Sequence, residues 1–445
     1  MEIAGLRKPL TVLLPVILCF CYALISFRLL SVYLIRDITL YIGMAIIPYV
    51  CRIESGSRSL RFLIPALLFT LLAIFIPAKS TLFFTLVFTI LLLFENFMGK
   101  ISLNFFFVLV LLSPLFKFFS DTLSFPLRLW LSNNVAETIT LAGIPARAAG
   151  NIITIDGYDF YIDQACAGLN MLSISLLICL FILSYHQKKN EKSLSFYSLL
   201  AMLILTFLLN IVSNFFRIMM IVIFKIMPGT AMHDLVGMCT LIFYVILPLI
   251  AFSGPFVRRF GKIYPEKENT SAATERLFKH PVLHFAFFGI VIFLSFNSAE
   301  NVPAAHNNSK HIALKGYQKT LLQNNVLKFE NKEALIYMKP TSFYAPEHNP
   351  TICWTGSGYE FQLIKKEMIN GTEIYTGTLV KGKDKIYASW WFDNGKMKTI
   401  DQLQWRWNAA GGDQDFYLVN VNASKSEDLK RITAALLPSP FAGNP

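Results

Sequence analysis

Long apolar runs recur along most of this 445-residue chain, and they restrict its possible folds more than any other feature. Most are roughly 17 to 25 residues long, the length that an α-helix needs to cross the hydrocarbon core of a bilayer. Only 15% of the residues are charged, which is low for a soluble protein. The runs predict a polytopic α-helical membrane protein of about nine spans, followed by a soluble domain.

The expected spans are separated by short polar or basic turns. They cover about 9–27, a second run to 50, then 62–77, 80–94, 101–119, 166–183, a run from 194, 234–253 and 281–297. No small-residue cleavage site follows the first run, so we interpret it as an uncleaved span. The run from Leu194 continues to Met227 and is too long for one perpendicular span, so it must tilt, break or leave the membrane.

The net charge of +12 raises nucleic acid as a partner, but its distribution argues against that. Residues 298–445 hold 17 basic and 14 acidic residues, and most of the remaining positive charge lies in short loops between apolar runs. Positive loops stay in the cytoplasm. We therefore predict the cell inner (plasma) membrane, a cytoplasmic N-terminus, an extracytoplasmic C-terminal domain and contact with membrane lipid, without nucleic-acid binding.

Four regions follow from these boundaries. They are N-terminal spans at 1–59, a membrane core at 60–260, a linker with the last span at 261–297 and a soluble domain at 298–445. In the last region, β-rich runs such as ALIYM, EIYTGTLV and KIYASWWF alternate with Asn-Gly and Lys-Gly turns, which predicts an α+β fold.

The seven cysteines form no CxxC pair and no zinc-ligand spacing, so we predict neither a metal nor a cofactor. Five lie in or beside apolar helices, where cysteine usually behaves as a small hydrophobic residue. Cys166 and Cys353 differ, because each stands in a polar, glycine-containing context.

The segment NIITIDGYDFYID precedes Cys166, and its two β-rich runs flank Asp156-Gly157, a strong two-residue hairpin signal. One interpretation is a lid or a packing hairpin. The other is that the hairpin fixes the entry of the next helix and offers an edge to an extended peptide. The sequence does not decide between them.

Counting along the predicted spans brings three polar residues to the same membrane face. Cys166 lies at the outer start of span six, His233 at the outer start of span eight, and Arg217 about 34 Å along span seven at 1.5 Å per residue. Taken singly, each has a commoner explanation: a packing thiol, a snorkelling anchor and a capping or surface histidine. Their co-location raises a functional site as an alternative that the residues alone leave open.

The three residue types suit acyl transfer. We expect Asp163 to cap the helix that carries Cys166, so that the helix dipole favours the thiolate, with Gly168 close by. His233 is the candidate general acid and base, and Arg217 the candidate stabiliser of an oxyanion or a carboxylate. Asp234 follows His233 directly, so we assign it a capping role rather than one that orients the imidazole.

Three short motifs resemble the exosortase and archaeosortase family, in the family's order and over about residues 60–260. The matching residues are Cys166, Ala167, Gly168 and Leu169; Asn214, Arg217 and Ile218; and His233 and Gly237. Ala167 stands where serine is commoner in the family. This difference is tolerable if the side chain at that position has only a packing role. The resemblance implies a membrane cysteine protease and transpeptidase. Such an enzyme cleaves the C-terminal sorting signal of exported proteins through a thioester and transfers them to an acceptor.

The segment HNPTICWTGSGYEF resembles a motif of the exopolysaccharide-associated extracytoplasmic domain that is often fused to exosortases. His348, Pro350, Cys353, Gly356 and Gly358 match, while Tyr359 stands where tryptophan is usual. One interpretation is a second site built on His348 and Cys353, or a groove for substrate or glycan. The other is a glycine-shaped loop around a buried thiol.

Two other functions remain open at this stage. A non-catalytic exopolysaccharide export or assembly factor, working with exopolysaccharide machinery, would depend on the C-terminal domain and not on Cys166. A transporter would show internal repeats and charges at mid-membrane depth, and the sequence shows no convincing repeat.

Overall fold

The computed structural model describes residues 3–34, 36–54, 59–162, 169–227, 230–263, 280–300, 312–322, 325–344, 359–411 and 416–438. The chain forms two compact units. The first comprises Met1–Asp121, Gly168–Ile221 and Pro228–Asn301, and the second comprises Thr122–Ala167, Val222–Met227 and Val302–Pro445. This division differs from the expected regions 60–260 and 298–445, because residues 122–167 group with the C-terminal residues.

Helices dominate the described chain before residue 301. They are α1 (Ile3–Tyr33), α2 (Ile38–Val50), α3 (Leu63–Phe75), α4 (Lys79–Phe97), α5 (Leu103–Leu111), α6 (Pro114–Leu141), α7 (Leu169–Lys189), α8 (Phe196–Ile223), α9 (Ala231–Leu241), α10 (Leu247–Phe260) and α11 (Pro281–Glu300). A π-helical segment, Ile242–Ile246, joins α9 to α10.

Short strands lie between these helices. They are β1 (Ile53–Glu54), β2 (Lys100–Ile101), β3 (Ala146–Ala149), β4 (Ile152–Ile155), β5 (Tyr158–Tyr161), β6 (Lys192–Ser193) and β7 (Lys262–Ile263). Strand β1 pairs with β2, and β6 pairs with β7, both antiparallel. The β6–β7 pair joins the chain that follows α7 to the chain that follows α10.

The expected nine spans are not confirmed, although the described helices fit a membrane protein. Four are long and apolar enough to cross a bilayer: Lys79–Phe97, Met171–Lys189, Phe196–Ile223 and Ala231–Phe260. A fifth span results if α5 and α6, bent by 56° at their junction, count as one. The other apolar helical stretches, Leu13–Leu29, Ile38–Val50, Leu63–Phe75 and Pro281–Phe296, are only 10–17 residues long. A run of apolar residues marks burial in lipid or protein, but it does not fix where a helix ends.

The expected span 101–119 is broken at Ser113-Pro114. Proline has no backbone N–H and suits the first turn of a helix, so α6 starts at Pro114 and α5 ends before it. The Ser113 hydroxyl donates to the Val110 carbonyl at 2.6 Å and accepts from the Phe116 N–H at 3.2 Å. The second bond gives the Phe116 N–H, which lies in the first turn of α6, a hydrogen-bond partner.

Helix α7 lies at the centre of the packing that positions the site. It packs against α2, α5 and α10. Its buried side chains include Leu172, Leu176 and Leu180. On α8, the Asn210 Nδ2 donates to Ser175 Oγ of α7 at 2.9 Å. Close packing and hydrogen bonds of this kind hold helices together in lipid, where the hydrophobic effect between helices is absent.

In the second unit, β3, β4 and β5 form an antiparallel sheet whose buried side includes Ile153, Ile155 and Phe160. The expected hairpin at Asp156-Gly157 is confirmed. Both residues have positive φ, 49° and 78°, as the two-residue turn requires. Strand β3 was not expected from the sequence. Lys225, just beyond α8, contacts this turn through an ion pair with Asp156 at 3.1 Å.

The C-terminal part of this unit is a β-rich domain with two helices. Its elements are β8 (Gln318–Leu321), β9 (Leu327–Glu330), β10 (Ala334–Thr341), β11 (Glu360–Ile369), β12 (Thr372–Lys381), β13 (Asp384–Asp393), β14 (Lys398–Thr399), α12 (Gln402–Ala410), β15 (Phe416–Ala423) and α13 (Ser426–Leu436). The main sheet order is β11-β12-β13-β15-β10-β9-β8, all antiparallel. The three β-rich runs identified in the sequence lie in β10, β12 and β13.

The edge strand β11 is joined to the β3–β4 turn inside the same unit. The Ile364 N–H donates to Asn151 Oδ1 at 3.0 Å, and Asn151 Nδ2 donates to the Ile162 carbonyl at 3.3 Å. Gly150 has φ +66°, and a Cβ there would lie 2.4 Å from the Ile364 carbonyl oxygen. Only glycine allows this approach, so the turn and the sheet edge are fitted to each other.

Candidate active site

Helices α8 and α9 bring Arg217 and His233 into direct contact. The Arg217 Nη2 lies 3.1 Å from His233 Nε2. Both side chains are buried, with 4% and 6% of their surface exposed. The two positions that we selected by counting along the spans are therefore neighbours.

The start of α9 positions His233 through Thr230. The Thr230 hydroxyl accepts from the His233 N–H at 3.3 Å, so Thr230 is the N-cap and His233 lies in the first turn. The expected capping role of Asp234 is therefore wrong. Asp234 lies in the first turn with its side chain exposed, where a negative charge suits the positive end of the helix dipole.

Met171 and Gly237 surround the Arg217 guanidinium. Arg217 Nη1 lies 3.6 Å from Met171 Sδ on α7. A Cβ at Gly237 would lie 3.1 Å from Arg217 Cζ and Nε and 3.1 Å from the Met171 methyl. Gly237 lies one turn after His233 on α9, so the missing side chain leaves room for the guanidinium beside the imidazole. Neither Met171 nor Thr230 was predicted from the sequence, although the His-x-x-x-Gly spacing pointed to Gly237.

The chemistry of the pair constrains the histidine tautomer. A guanidinium has only donors, so Nε2 must accept and the ring proton must lie on Nδ1. The imidazole is then neutral, which is the form that can take up a proton. Nε2 is engaged by Arg217 in this arrangement, so it becomes available only when the guanidinium turns to another acceptor.

Asn214 lies one turn before Arg217 on α8 and is also buried. The other predicted site residues, Cys166, Asp163 and Gly168, lie outside the described residues, and so do His348 and Cys353. Among the residues that the structure describes, no three His, Cys, Asp or Glu side chains are grouped to hold a metal ion.

Comparison with known families finds one match within the helical part of the chain. Residues 78–251 match the family model described as transmembrane exosortase (Exosortase_EpsH), and this stretch contains Cys166, Arg217 and His233. No curated protein and no solved structure matched the chain. The family supports, in general terms, a transpeptidase-type function in a membrane, acting on proteins with sorting signals. The match ends before the C-terminal domain, so the identity of that domain remains a prediction. Over residues 78–251, this chain is therefore similar to the transmembrane exosortase family.

Proposed function

We propose that this protein is a membrane-embedded cysteine transpeptidase that cleaves the C-terminal sorting signal of exported proteins and transfers them to an acceptor. Cys166 is the nucleophile, His233 the general acid and base, and Arg217 the stabiliser of negative charge. The observation that carries the proposal is the buried Arg217–His233 contact of 3.1 Å inside the segment that matches the exosortase family.

The reaction uses the Arg217–His233 pair in two ways. Developing charge on the substrate carbonyl oxygen attracts the guanidinium, and this movement releases His233 Nε2 to hold the thiol proton. The Cys166 sulfur forms a bond to the carbonyl carbon, giving a tetrahedral intermediate. Collapse of the intermediate breaks the C–N bond, and the imidazolium protonates the leaving amine. The thioester that results passes its acyl group to the acceptor.

The distribution of charge supports an extracytoplasmic site. Met171 lies near the start of α7 and His233 at the start of α9, while Lys188, Lys189, Arg258 and Arg259 lie at the far ends of α7 and α10. Positive charge marks the cytoplasmic end, so we assign the site and the C-terminal domain to the outer side of the inner membrane. A reporter inserted after Asn190 should respond as cytoplasmic, and one inserted after Met227 as extracytoplasmic.

Substitution of the nucleophile tests the function. Cys166→Ala should abolish cleavage of an exported protein that carries a C-terminal sorting signal, while the enzyme still accumulates in the membrane. Cys353→Ala is the control and should retain cleavage. Unchanged cleavage by Cys166→Ala would exclude this mechanism, and loss with Cys353→Ala alone would move the chemistry to the C-terminal domain.

A further inference from the structure

Asn214 differs from the other buried asparagines that the structure describes. Its side chain is 5% exposed, and neither Oδ1 nor Nδ2 has a hydrogen-bond partner within the described residues. The other buried asparagines all form side-chain hydrogen bonds: Asn96, Asn104, Asn151, Asn210, Asn394, Asn420 and Asn422. A buried amide without partners opposes folding, since its hydration is lost without replacement.

The position of Asn214 links it to the candidate active site. Asn210, Asn214 and Arg217 follow each other at i, i+4 and i+7, so they form one stripe along α8. Both ends of the stripe contact the first turns of α7. Asn210 bonds to Ser175 Oγ at 2.9 Å, and Arg217 Nη1 lies 3.6 Å from Met171 Sδ. Asn214 therefore lies on the face of α8 that carries the Arg217–His233 pair.

The chemistry of an amide indicates what it binds. A primary amide offers two donors and one acceptor in one plane, which complements the carbonyl and N–H of a peptide. A buried polar group left unpaired in the free enzyme gives strong selectivity for a ligand that pairs with it. A polypeptide carbonyl next to Arg217 fits both the chemistry and the position.

We propose that Asn214 is a catalytic residue whose Nδ2 donates to the carbonyl oxygen that Cys166 attacks. This inference rests on the proposed function and adds a neutral donor to the charge of Arg217. As the sulfur–carbon bond forms, the carbonyl π electrons move to oxygen, and the oxyanion accepts hydrogen bonds from Asn214 and Arg217. As the carbonyl re-forms, the electron pair of the breaking bond leaves with the departing group.

Two small reagents separate this role from thiolate formation. p-Nitrophenyl acetate acetylates a thiolate through a tetrahedral oxyanion and releases p-nitrophenolate, which needs no general acid. Iodoacetamide alkylates the same thiolate by direct displacement of iodide, without an oxyanion. The rates of both reactions at Cys166 are measured by mass spectrometry on the full chain in detergent micelles. The ratio of acetylation to alkylation then reports stabilisation of the oxyanion alone.

Asn214→Leu should lower this ratio about 100-fold to 1000-fold, as the loss of one oxyanion donor does in other enzymes. Its melting temperature should equal or exceed that of the wild type, since a buried amide without partners is replaced by an apolar group of similar size. Asn210→Leu is the matched control one turn earlier. It removes a satisfied hydrogen bond to Ser175, so it should lower the melting temperature and leave the ratio unchanged.

Two results would overturn the inference while leaving the proposed function intact. One is a wild-type ratio in Asn214→Leu. The other is a melting temperature that falls as far as in Asn210→Leu, together with an equal slowing of acetylation and alkylation, which would make Asn214 a structural residue. If wild-type Cys166 reacts with neither reagent faster than the buried Cys179, the proposed nucleophile itself fails, and the role of Asn214 fails with it.

Discussion

At the scale of single residues, the absence of a side chain at Gly237 decides where Arg217 lies. The guanidinium and the Met171 methyl occupy the space that a Cβ would need. Arg217 therefore packs against the backbone of α9 beside His233, and its charge is held next to the imidazole in a buried setting. In the proposed mechanism, the guanidinium moves from His233 to the oxyanion, so we expect a small displacement of Arg217 to lower the cleavage rate more than it lowers stability.

We expect Gly237→Ala to lower the cleavage rate about 10-fold or more while changing stability little. Alanine is the better helix former by about 1 kcal/mol, which offsets part of the strain from contacts at 3.1 Å. The guanidinium must then move by a few tenths of an ångström. Cleavage rate and melting temperature are measured on the same preparation. Gly289→Ala on α11, where no atom lies within 4 Å of the new Cβ, should leave both unchanged or raise stability slightly. Equal cleavage rates in the two variants would contradict this role of Gly237.

The sequence predicted part of this arrangement and missed another part for a physical reason. Arg217 and His233 were predicted because each can be located on its own, from its residue type and from its distance along a predicted span. The contact between Arg217 and Met171 joins residues 46 apart in the chain, and such contacts follow from helix packing rather than from local pattern. Thr230 was missed because we started the span at Asp234, and the cap precedes the first apolar residue.

At the scale of elements, α8 explains how one apolar run serves both the membrane and the site. Its 28 residues give a helix of about 42 Å, longer than the hydrocarbon core of about 30 Å. The apolar run in the sequence reaches Met227, but the helix does not. It ends at Ile223, before Lys225, whose φ of +52° is not helical. Arg217 lies about 32 Å from the start of α8, close to the expected distance.

The π-helical segment Ile242–Ile246 is an element that the sequence did not predict. Tyr244 in this segment stacks on Phe216 of α8, with ring centroids 4.6 Å apart and planes within 5°. Phe216 directly precedes Arg217, so the stack is formed next to the site. A π-helical turn depends on such packing between helices, and the apolar periodicity of a single helix contains no signal for it.

Strand β11 and helix α13 are joined by a charge pair whose strength depends on pH. Burial raises the pKa of Glu367, but a hydrogen bond from Lys430, the charge of Lys365 and a hydrogen bond from Thr376 outweigh it, so the pKa lies below its ordinary value. A lowered carboxyl pKa stabilises the fold at neutral pH, and this stability is lost as pH falls through the folded pKa.

Glu367→Gln should therefore lower the free energy of unfolding at pH 7, by less than about 1 kcal/mol because the pair is partly exposed. The difference from the wild type should fade as pH falls below about 4. Urea unfolding at several pH values measures it. Lys430→Gln should show the same pH dependence, and the double variant should add little to either. If the difference in unfolding free energy stayed the same at low pH, the packing of the Glu367 side chain, and not its charge, would be its cause.

At the scale of the whole molecule, the sequence predicted where the C-terminal domain lies, but it did not predict which other residues pack against that domain. The β-rich runs and turns after residue 297 were enough to predict a β-rich domain there. The hydrogen bond between Ile364 and Asn151 joins residues that are 213 positions apart, and no change in sequence composition predicts it. As a result, residues 122–162 were assigned to the membrane core, whereas they form one compact unit with the C-terminal sheet.

Gly150 and Gly157 provide a matched pair for testing this junction. Both have positive φ, +66° and +78°, so alanine at either position is disfavoured by roughly 1–2 kcal/mol. At Gly157 no atom lies within 4 Å of the new Cβ, whereas at Gly150 the Ile364 carbonyl oxygen lies 2.4 Å away. A backbone atom at that distance cannot rotate aside, so the turn and the edge of β11 must separate.

We therefore expect Gly157→Ala to destabilise the second unit by roughly 1–2 kcal/mol and Gly150→Ala by roughly 2–5 kcal/mol, the sum of the backbone term and overpacking. All the tryptophans that the structure describes, at positions 130, 390, 391, 405 and 407, belong to this unit, so denaturant unfolding followed by tryptophan fluorescence reports on it. Hydrogen exchange at the Ile364 amide should quicken in Gly150→Ala and not in Gly157→Ala, because only the first variant breaks the bond to Asn151. Equal unfolding energies and equal exchange in the two variants would mean that the sheet edge does not depend on this turn.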